Sequence, residues 1–106
     1  MPGQPRYAAK RDAVEPEITE ALDAIGASYR KLSDPKKPGL PDLLVGYRGV
    51  DFQFEVKSEG GRLSDDQRDY QDTWRGRRPE VVRCQRDVLE ALGAILPPPR
   101  GMDCRG

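Results

Sequence analysis

Three charged residues near the middle of the chain have the types and spacing needed for metal-assisted chemistry. Glu55 and Lys57 flank Val56 in the segment FQFEVKS, whose strict alternation predicts a strand with both charged side chains on one face. Asp42 begins the apolar segment DLLVGY, and a hairpin joining the two segments would fold its carboxylate back toward Glu55. Two converging carboxylates repel each other unless a cation lies between them, and oxygen ligands of this kind suit Mg²⁺ or Mn²⁺.

The neighbouring groups can contribute to the same site. The Val56 carbonyl oxygen is a further candidate ligand for the metal ion, and Lys57 supplies a compact positive charge that can hold or activate a water molecule. A Glu-x-Lys triplet on a strand is also common as a solvent-exposed ion pair, and from the triplet alone this second interpretation stays open. The position of Asp42 at the start of the neighbouring strand favours the metal site.

The composition limits the available chemistry. The chain has 106 residues, with 18 Lys and Arg against 18 Asp and Glu and no histidine, so histidine-based acid–base catalysis and histidine-ligated zinc are excluded. Residues 1–11 carry a net charge of +3 and residues 97–106 of +1, which leaves −4 between them rather than the basic surface typical of nucleic-acid-binding proteins. We expect a cytoplasmic protein, because no apolar segment approaches the roughly 20 residues that cross a bilayer and the first residues do not resemble a signal peptide.

Periodicity and turn residues predict one small α/β domain. Apolar residues have helical spacing after Glu15, alternate in the central segments, and are interrupted by Gly and Pro. We expect a single domain over residues 12–96, with flexible tails at 1–11 and 97–106. The predicted order is α-β-β-β-α-β-α, a mixed central sheet flanked by helices, over residues 15–26, 27–32, 42–47, 52–58, 64–74, 80–84 and 86–92, with a hairpin turn at 48–51.

The motifs resemble those of a nuclease superfamily. Pro41-Asp42, followed after 12 residues by Glu55-Val56-Lys57, resembles the PD-(D/E)XK nucleases, and the predicted order of elements resembles their restriction-endonuclease-like core. The segments GLPDLLVG, FEVKS and GRLS, with Gln67 beyond them, are similar to a VRR-NUC domain of the small free-standing type found in phages and prophages. The resemblance implies an endonuclease that uses Mg²⁺ or Mn²⁺ to hydrolyse phosphodiester bonds, with a preference for branched DNA such as Holliday junctions or flaps.

The resemblance also implies roles for individual residues. The implied catalytic residues are Glu15, Asp42, Glu55, Lys57 and Gln67, and the implied metal ligands are Asp42, Glu55, the Val56 carbonyl and Glu15. Glu17 is the alternative to Glu15 as the acid on the first helix. Gln67 has a second interpretation, as the partner of Ser64 in a helix capping box.

The same resemblance implies DNA as the binding partner. Three basic residues, Lys36, Lys37 and Arg62, are expected to contact the DNA backbone without reading sequence, although such charges often form only a solvated surface. Tyr70 and Trp74 are expected in the core, with base stacking as the alternative.

Two further expectations concern assembly and the competing function. A homodimer is expected, because a two-fold dimer would bury apolar surface that one small core leaves exposed. The second hypothesis for function is a non-catalytic adaptor that binds DNA or protein through a nuclease fold, and the near-zero net charge favours it.

Overall fold

The predicted order of secondary-structure elements is confirmed. The computed structural model describes residues 6–32 and 34–95, with side chains from residue 14 onward. The described residues form three helices and four strands: α1 (Arg6–Ala24), β1 (Ser28–Lys31), β2 (Leu43–Tyr47), β3 (Val50–Val56), α2 (Asp65–Thr73), β4 (Glu80–Val82) and α3 (Gln85–Ala91). Of the predicted tails, residues 1–5 and 97–106 lie outside the described residues.

The strands form the predicted mixed sheet. Within the described residues its order is β1-β2-β3-β4. The β1–β2 and β2–β3 pairs are antiparallel, with Leu43 facing Phe54 in the second of them. β4 runs parallel to β3, with Val56 facing Val82. This arrangement places β3, which carries Glu55, between two neighbouring strands.

One face of the sheet forms the hydrophobic core under α1 and α3. The buried apolar side chains of this core are Ile18, Leu22, Leu43, Val45, Phe52, Phe54, Val56, Val82, Val88 and Leu92. Each such side chain contributes roughly 1.5–3 kcal/mol when it is fully buried. On the other face, the Tyr70 hydroxyl of α2 donates a hydrogen bond of 2.6 Å to Gln53 Oε1, so α2 lies over the face that carries the polar side chains of β3.

The first helix begins earlier than the sequence predicts. The expected start at Glu15 is wrong, because α1 begins at Arg6 and Pro16 lies inside it. The residues before Glu15 include good helix formers such as alanine, arginine and lysine, which continue the helix toward the N-terminus. At the other end Gly26 adopts a φ of +76°, and the Ala27 amide donates to the Leu22 carbonyl, which together form a glycine-based helix C-terminus.

The hairpin between β2 and β3 is tighter than predicted. Tyr47 faces Val50 across the pair, so Arg48 and Gly49 alone make the turn. Both have positive φ values, 52° and 80°, which is typical of the two-residue turns that match the twist of the strands. As a result β3 begins at Val50 rather than Phe52, and Lys57 lies just beyond its end.

The loop before β2 is packed against the start of α2 through Gly39. A Cβ atom at Gly39 would lie 2.6 Å from the Asp66 carbonyl oxygen, and Gly39 has a φ of +97°. The close approach requires glycine and ties the loop that leads to Asp42 to the helix that follows the β3 strand.

We expect Gly39→Ala to destabilise the fold more than an ordinary glycine substitution. Gly60→Ala is the matched control, because Gly60 has a φ of +81° and nothing within 4 Å of the added Cβ. The control should cost about 1–2 kcal/mol of unfolding free energy, and Gly39→Ala at least about 1 kcal/mol more because of the clash. Urea denaturation measures both, and equal losses would show that the contact with Asp66 is loose.

Candidate active site

Glu55 is buried next to a half-buried lysine. Its side chain is only 2% exposed, the Lys57 side chain is 17% exposed, and Lys57 Nζ lies 3.7 Å from Glu55 Oε2. The interpretation of this triplet as a solvent-exposed ion pair is therefore wrong. Removing a carboxylate from water is costly unless other groups compensate the charge, so a buried Glu–Lys pair on a strand indicates a site rather than a surface.

Asp42 immediately precedes β2, one position beyond the facing pair of Leu43 and Phe54. Because the strands are antiparallel, the residue before Leu43 and the residue after Phe54 are Asp42 and Glu55, at adjoining positions of the two chain segments. Asp42 Oδ2 accepts a hydrogen bond of 2.7 Å from the Val56 amide. The Asp42 carboxylate therefore lies against the peptide bond that joins Glu55 to Val56, which is the convergence that the hairpin prediction requires.

The donor set fits a hard divalent cation. Within residues 6–32 and 34–95, no group of three or more acidic or cysteine side chains is placed to hold a metal ion. Mg²⁺ does not need such a cage, because it commonly binds through one or two carboxylates and completes its shell with water and substrate phosphate. Asp42 and Glu55 supply two carboxylates at adjoining positions, and Val56 supplies a backbone carbonyl next to them.

The two acids of α1 occupy different surroundings. Glu15 Oε2 lies 3.4 Å from Lys31 Nζ on β1, and the Glu15 side chain is 27% exposed. Glu17 is exposed to solvent. Lys31 faces Leu43, the first residue of β2. Glu15, the ion-pair partner of Lys31, is therefore held near the start of β2, which Asp42 precedes. The metal-binding roles of both acids stay predictions.

The predicted DNA-contacting residues lie in exposed loops. Lys36, Lys37 and Arg62 are all exposed. The first two belong to a turn in which Asp34 accepts hydrogen bonds from both of their amides, with its side chain for Lys36 and its carbonyl for Lys37. This turn leads to Gly39 and hence to the start of α2, which Arg62 precedes by a few residues. Their contacts with DNA stay predictions.

Gln67 forms the capping box at the start of α2. The Ser64 hydroxyl accepts a hydrogen bond of 3.2 Å from the Gln67 amide, and Gln67 Oε1 accepts one of 2.9 Å from the Ser64 amide. The structural interpretation of Gln67 is thus confirmed. A catalytic role would have to use its side-chain NH₂ group, because the oxygen is occupied by the helix terminus.

Tyr70 and Trp74 differ from each other in burial. Tyr70 is partly buried, and this burial raises the pKa of its hydroxyl. Trp74 is 46% exposed, so its expected place in the core is wrong. Since α2 ends at Thr73, Trp74 lies just beyond the helix, where its indole stays largely in contact with solvent.

A cavity that the sequence did not indicate lies beside Trp74. Its lining residues are Leu44, Asp51, Gln53, Trp74 and Arg77. The run Leu43-Leu44-Val45 was expected to be an apolar strand, but Leu44 is 36% exposed because α2 does not extend over it. A polar Gln53 directly opposite Leu44 was the only signal in the sequence that this part of the sheet is open.

The fold and the site together define the class of the protein. A mixed four-stranded sheet in the described residues, with helices on both faces, with Pro41-Asp42 just before β2 and Glu55-Val56-Lys57 at the end of the adjoining strand β3, is a restriction-endonuclease-like α/β fold. The chain belongs to the VRR-NUC domain family: it is 32% identical to a solved VRR-NUC domain, with a TM-score of 0.67 over 79% of this chain and 95% of the other. No protein-family model and no curated protein matches the chain.

Proposed function

We propose that this protein is a DNA endonuclease that depends on Mg²⁺ or Mn²⁺. The observation that carries the proposal is the buried Glu55 carboxylate, 3.7 Å from Lys57 Nζ, with the Asp42 carboxylate bonded to the amide of the next residue, Val56. The VRR-NUC domain to which the chain is similar supports phosphodiester hydrolysis as the reaction, since its name denotes a nuclease domain.

Each residue of the site has a separate part in the proposed reaction. Asp42, Glu55 and the Val56 carbonyl would hold the metal ion, which neutralises charge on the phosphoryl oxygens and lowers the pKa of bound water. Lys57 would orient the attacking water in line with the scissile bond and add positive charge beside the developing negative charge. The water oxygen bonds to phosphorus and the bond to the 3′ oxygen breaks, which leaves a 5′-phosphate and a 3′-hydroxyl.

Glu15 is proposed as the further acid at the site, with Glu17 as its alternative. The pairing of Glu15 with Lys31 supports this choice because it fixes the carboxylate near the sheet, whereas Glu17 is exposed. We expect Glu15→Gln to slow cleavage by roughly 10–100-fold, the usual loss when a group that supports a metal site is removed. Glu17→Gln is the matched control in the same cleavage assay and should behave as the unaltered protein. A reversed result would transfer the role to Glu17.

The substrate is proposed to be DNA held by its backbone, with a preference for branched forms. Lys36, Lys37 and Arg62 support this proposal because they are exposed on loops that meet at the start of α2. We also infer a homodimer in the cytoplasm of a bacterial or phage-infected cell, since two sites related by two-fold symmetry suit a branched substrate. None of the helices in the described part of the chain is long and apolar enough to span a bilayer.

The proposal is tested by incubation of the purified protein with labelled Holliday junctions, flaps, nicked duplexes and blunt duplexes. We expect cleavage in Mg²⁺ or Mn²⁺, none with EDTA, and faster cleavage of the branched forms. Equal rates on all substrates would remove the preference for branched DNA and leave the nuclease.

A non-catalytic adaptor is the second candidate, and the formal net charge of zero favours it because a nuclease usually presents an excess of positive charge to DNA. The absence of cleavage with every substrate and both metals, together with no heat of Mn²⁺ binding in calorimetry, would establish the adaptor instead.

A further inference from the structure

An exposed indole lies at the open end of the polar face of the sheet. The Trp74 ring stacks on the Tyr70 ring, with centroids 5.2 Å apart and planes inclined by 13°. The Tyr70 hydroxyl is in turn hydrogen-bonded to Gln53 on β3. The indole is therefore held in a defined orientation by a chain of contacts that begins in the sheet, while 46% of its surface remains in contact with solvent.

The cavity beside this indole has the size and chemistry for one planar heterocycle. Its volume is about 240 Å³, below the roughly 300–1,000 Å³ of sites for drug-sized ligands. Trp74 and Leu44 provide apolar surface for stacking. Asp51 and Gln53 provide polar groups: a carboxylate accepts hydrogen bonds, and Gln53 retains its NH₂ donor because its oxygen accepts from Tyr70.

The cavity adjoins both positive charge and the proposed active site. Arg77 is one of the residues that line the cavity, and its guanidinium lies 4.3 Å from the centroid of the Phe52 ring at the neighbouring position of β3, so its positive charge is at the edge of the sheet next to the cavity. Gln53 precedes Glu55 by two residues on the same face of β3, a separation of about 7 Å along a strand. A ligand in the cavity would thus lie next to a phosphate at the active site.

We propose that this cavity, lined by Leu44, Asp51, Gln53, Trp74 and Arg77, binds the base of one unpaired nucleotide adjacent to the scissile phosphate. The proposal rests on the proposed nuclease function and specifies its substrate: DNA with a single-stranded segment at the cleavage position. The base stacks on Trp74, its edge bonds to Gln53 or Asp51, and Arg77 neutralises the neighbouring phosphate. A fully paired duplex cannot place a base in the cavity without unstacking it.

The protein reports on this site directly, because Trp74 is its single tryptophan. With EDTA present to prevent cleavage, the full chain is titrated with a short oligothymidine, a flapped duplex and a blunt duplex, and indole emission is recorded. We expect quenching by the first two and little by the blunt duplex. Trp74→Ala should weaken binding of labelled oligothymidine, followed by fluorescence anisotropy, by roughly 5- to 150-fold, the range for loss of one stacked base.

Two matched arginine substitutions test whether Arg77 contributes to DNA binding at the cavity. Arg77→Ala should weaken oligothymidine binding and make the affinity less dependent on salt concentration, because one phosphate contact is lost. Arg68→Ala, which removes an exposed arginine of α2 outside the cavity, should leave both the affinity and its salt dependence unchanged. In the cleavage assay, Trp74→Ala should reduce the ratio of the flap rate to the blunt-duplex rate toward one.

Three results would overturn the proposal. The first is DNA that binds, by anisotropy, without changing the Trp74 emission. The second is a flap-to-duplex ratio that Trp74→Ala leaves unchanged. The third is a dimer, shown by sedimentation without DNA, that Trp74→Ala converts to a monomer, since a second copy would then cover the cavity. Cleavage that persists in any of these cases shows that the nuclease function stands even though the base-binding site does not.

Discussion

Glu55→Gln should abolish Mg²⁺-dependent cleavage while the protein stays folded. The glutamine retains the shape of the buried side chain but loses the charge that would bind the cation. Because loss of a group that only supports a metal ligand costs 10–100-fold, loss of the ligand itself should reduce the cleavage rate by more than about 100-fold. Initial rates on a labelled flap or junction measure the effect, and calorimetry should show Mn²⁺ binding weakened in parallel.

The control for this variant is Glu20→Gln, which makes the same chemical change at an exposed position on α1. It should cleave as the unaltered protein does. Thermal melting of Glu55→Gln should show a cooperative transition, because one charge of a buried pair is replaced by a neutral group of equal size. A folded Glu55→Gln protein that still cleaves would assign the activity to another site or to a contaminant.

Lys57→Met should also slow cleavage strongly, but for a different physical reason. The substitution keeps most of the apolar stem that is buried beside Glu55 and removes the ammonium group. Removal of one preorganised donor at a transition state costs roughly 10²–10³-fold in rate, and we expect a loss of this size in the same assay. Mn²⁺ binding should be retained or become tighter, because a positive charge 3.7 Å from Glu55 Oε2 no longer competes with the cation.

The comparison of the two variants separates the roles of the two side chains. A ligand variant loses metal binding and cleavage together, whereas a variant of the water-orienting group loses cleavage alone. Lys57→Arg provides an intermediate case, since it keeps the charge but changes its geometry, and should recover part of the rate. Loss of Mn²⁺ binding in Lys57→Met would mean that Lys57 holds the site together rather than acting on the water.

Local patterns in the sequence were sufficient for the order of the elements. The alternation from Phe52 to Lys57, the capping box at Ser64 and the glycine after α1 each describe interactions between residues close in the chain, and the structure contains all three. The predicted start of α1 at Glu15 is wrong, because the helix begins at Arg6 and continues through Pro16. Proline is favoured at the first position of a helix and disfavoured in its interior, where it removes a backbone hydrogen bond, so the local pattern favours a start at Glu15 that the folded chain does not adopt.

Contacts between segments distant in the sequence decided which side chains of these elements are buried and which are exposed. The triplet Glu55-Val56-Lys57 is compatible with a surface ion pair or with a buried site, and the burial of Glu55 results from the strands on both sides of β3. The exposure of Trp74 follows from where α2 ends over the sheet.

The amino-acid sequence by itself determined the chemistry that is available: two carboxylates, a lysine and no histidine, on strands whose alternation sets which side chains share a face. Only the tertiary structure decided that Asp42 contacts the Val56 amide, that Glu15 pairs with Lys31, and that a cavity opens beside Trp74. The physical reason is that a side chain's periodicity is a property of its own strand or helix, whereas its burial and its partners depend on which distant segments pack against it.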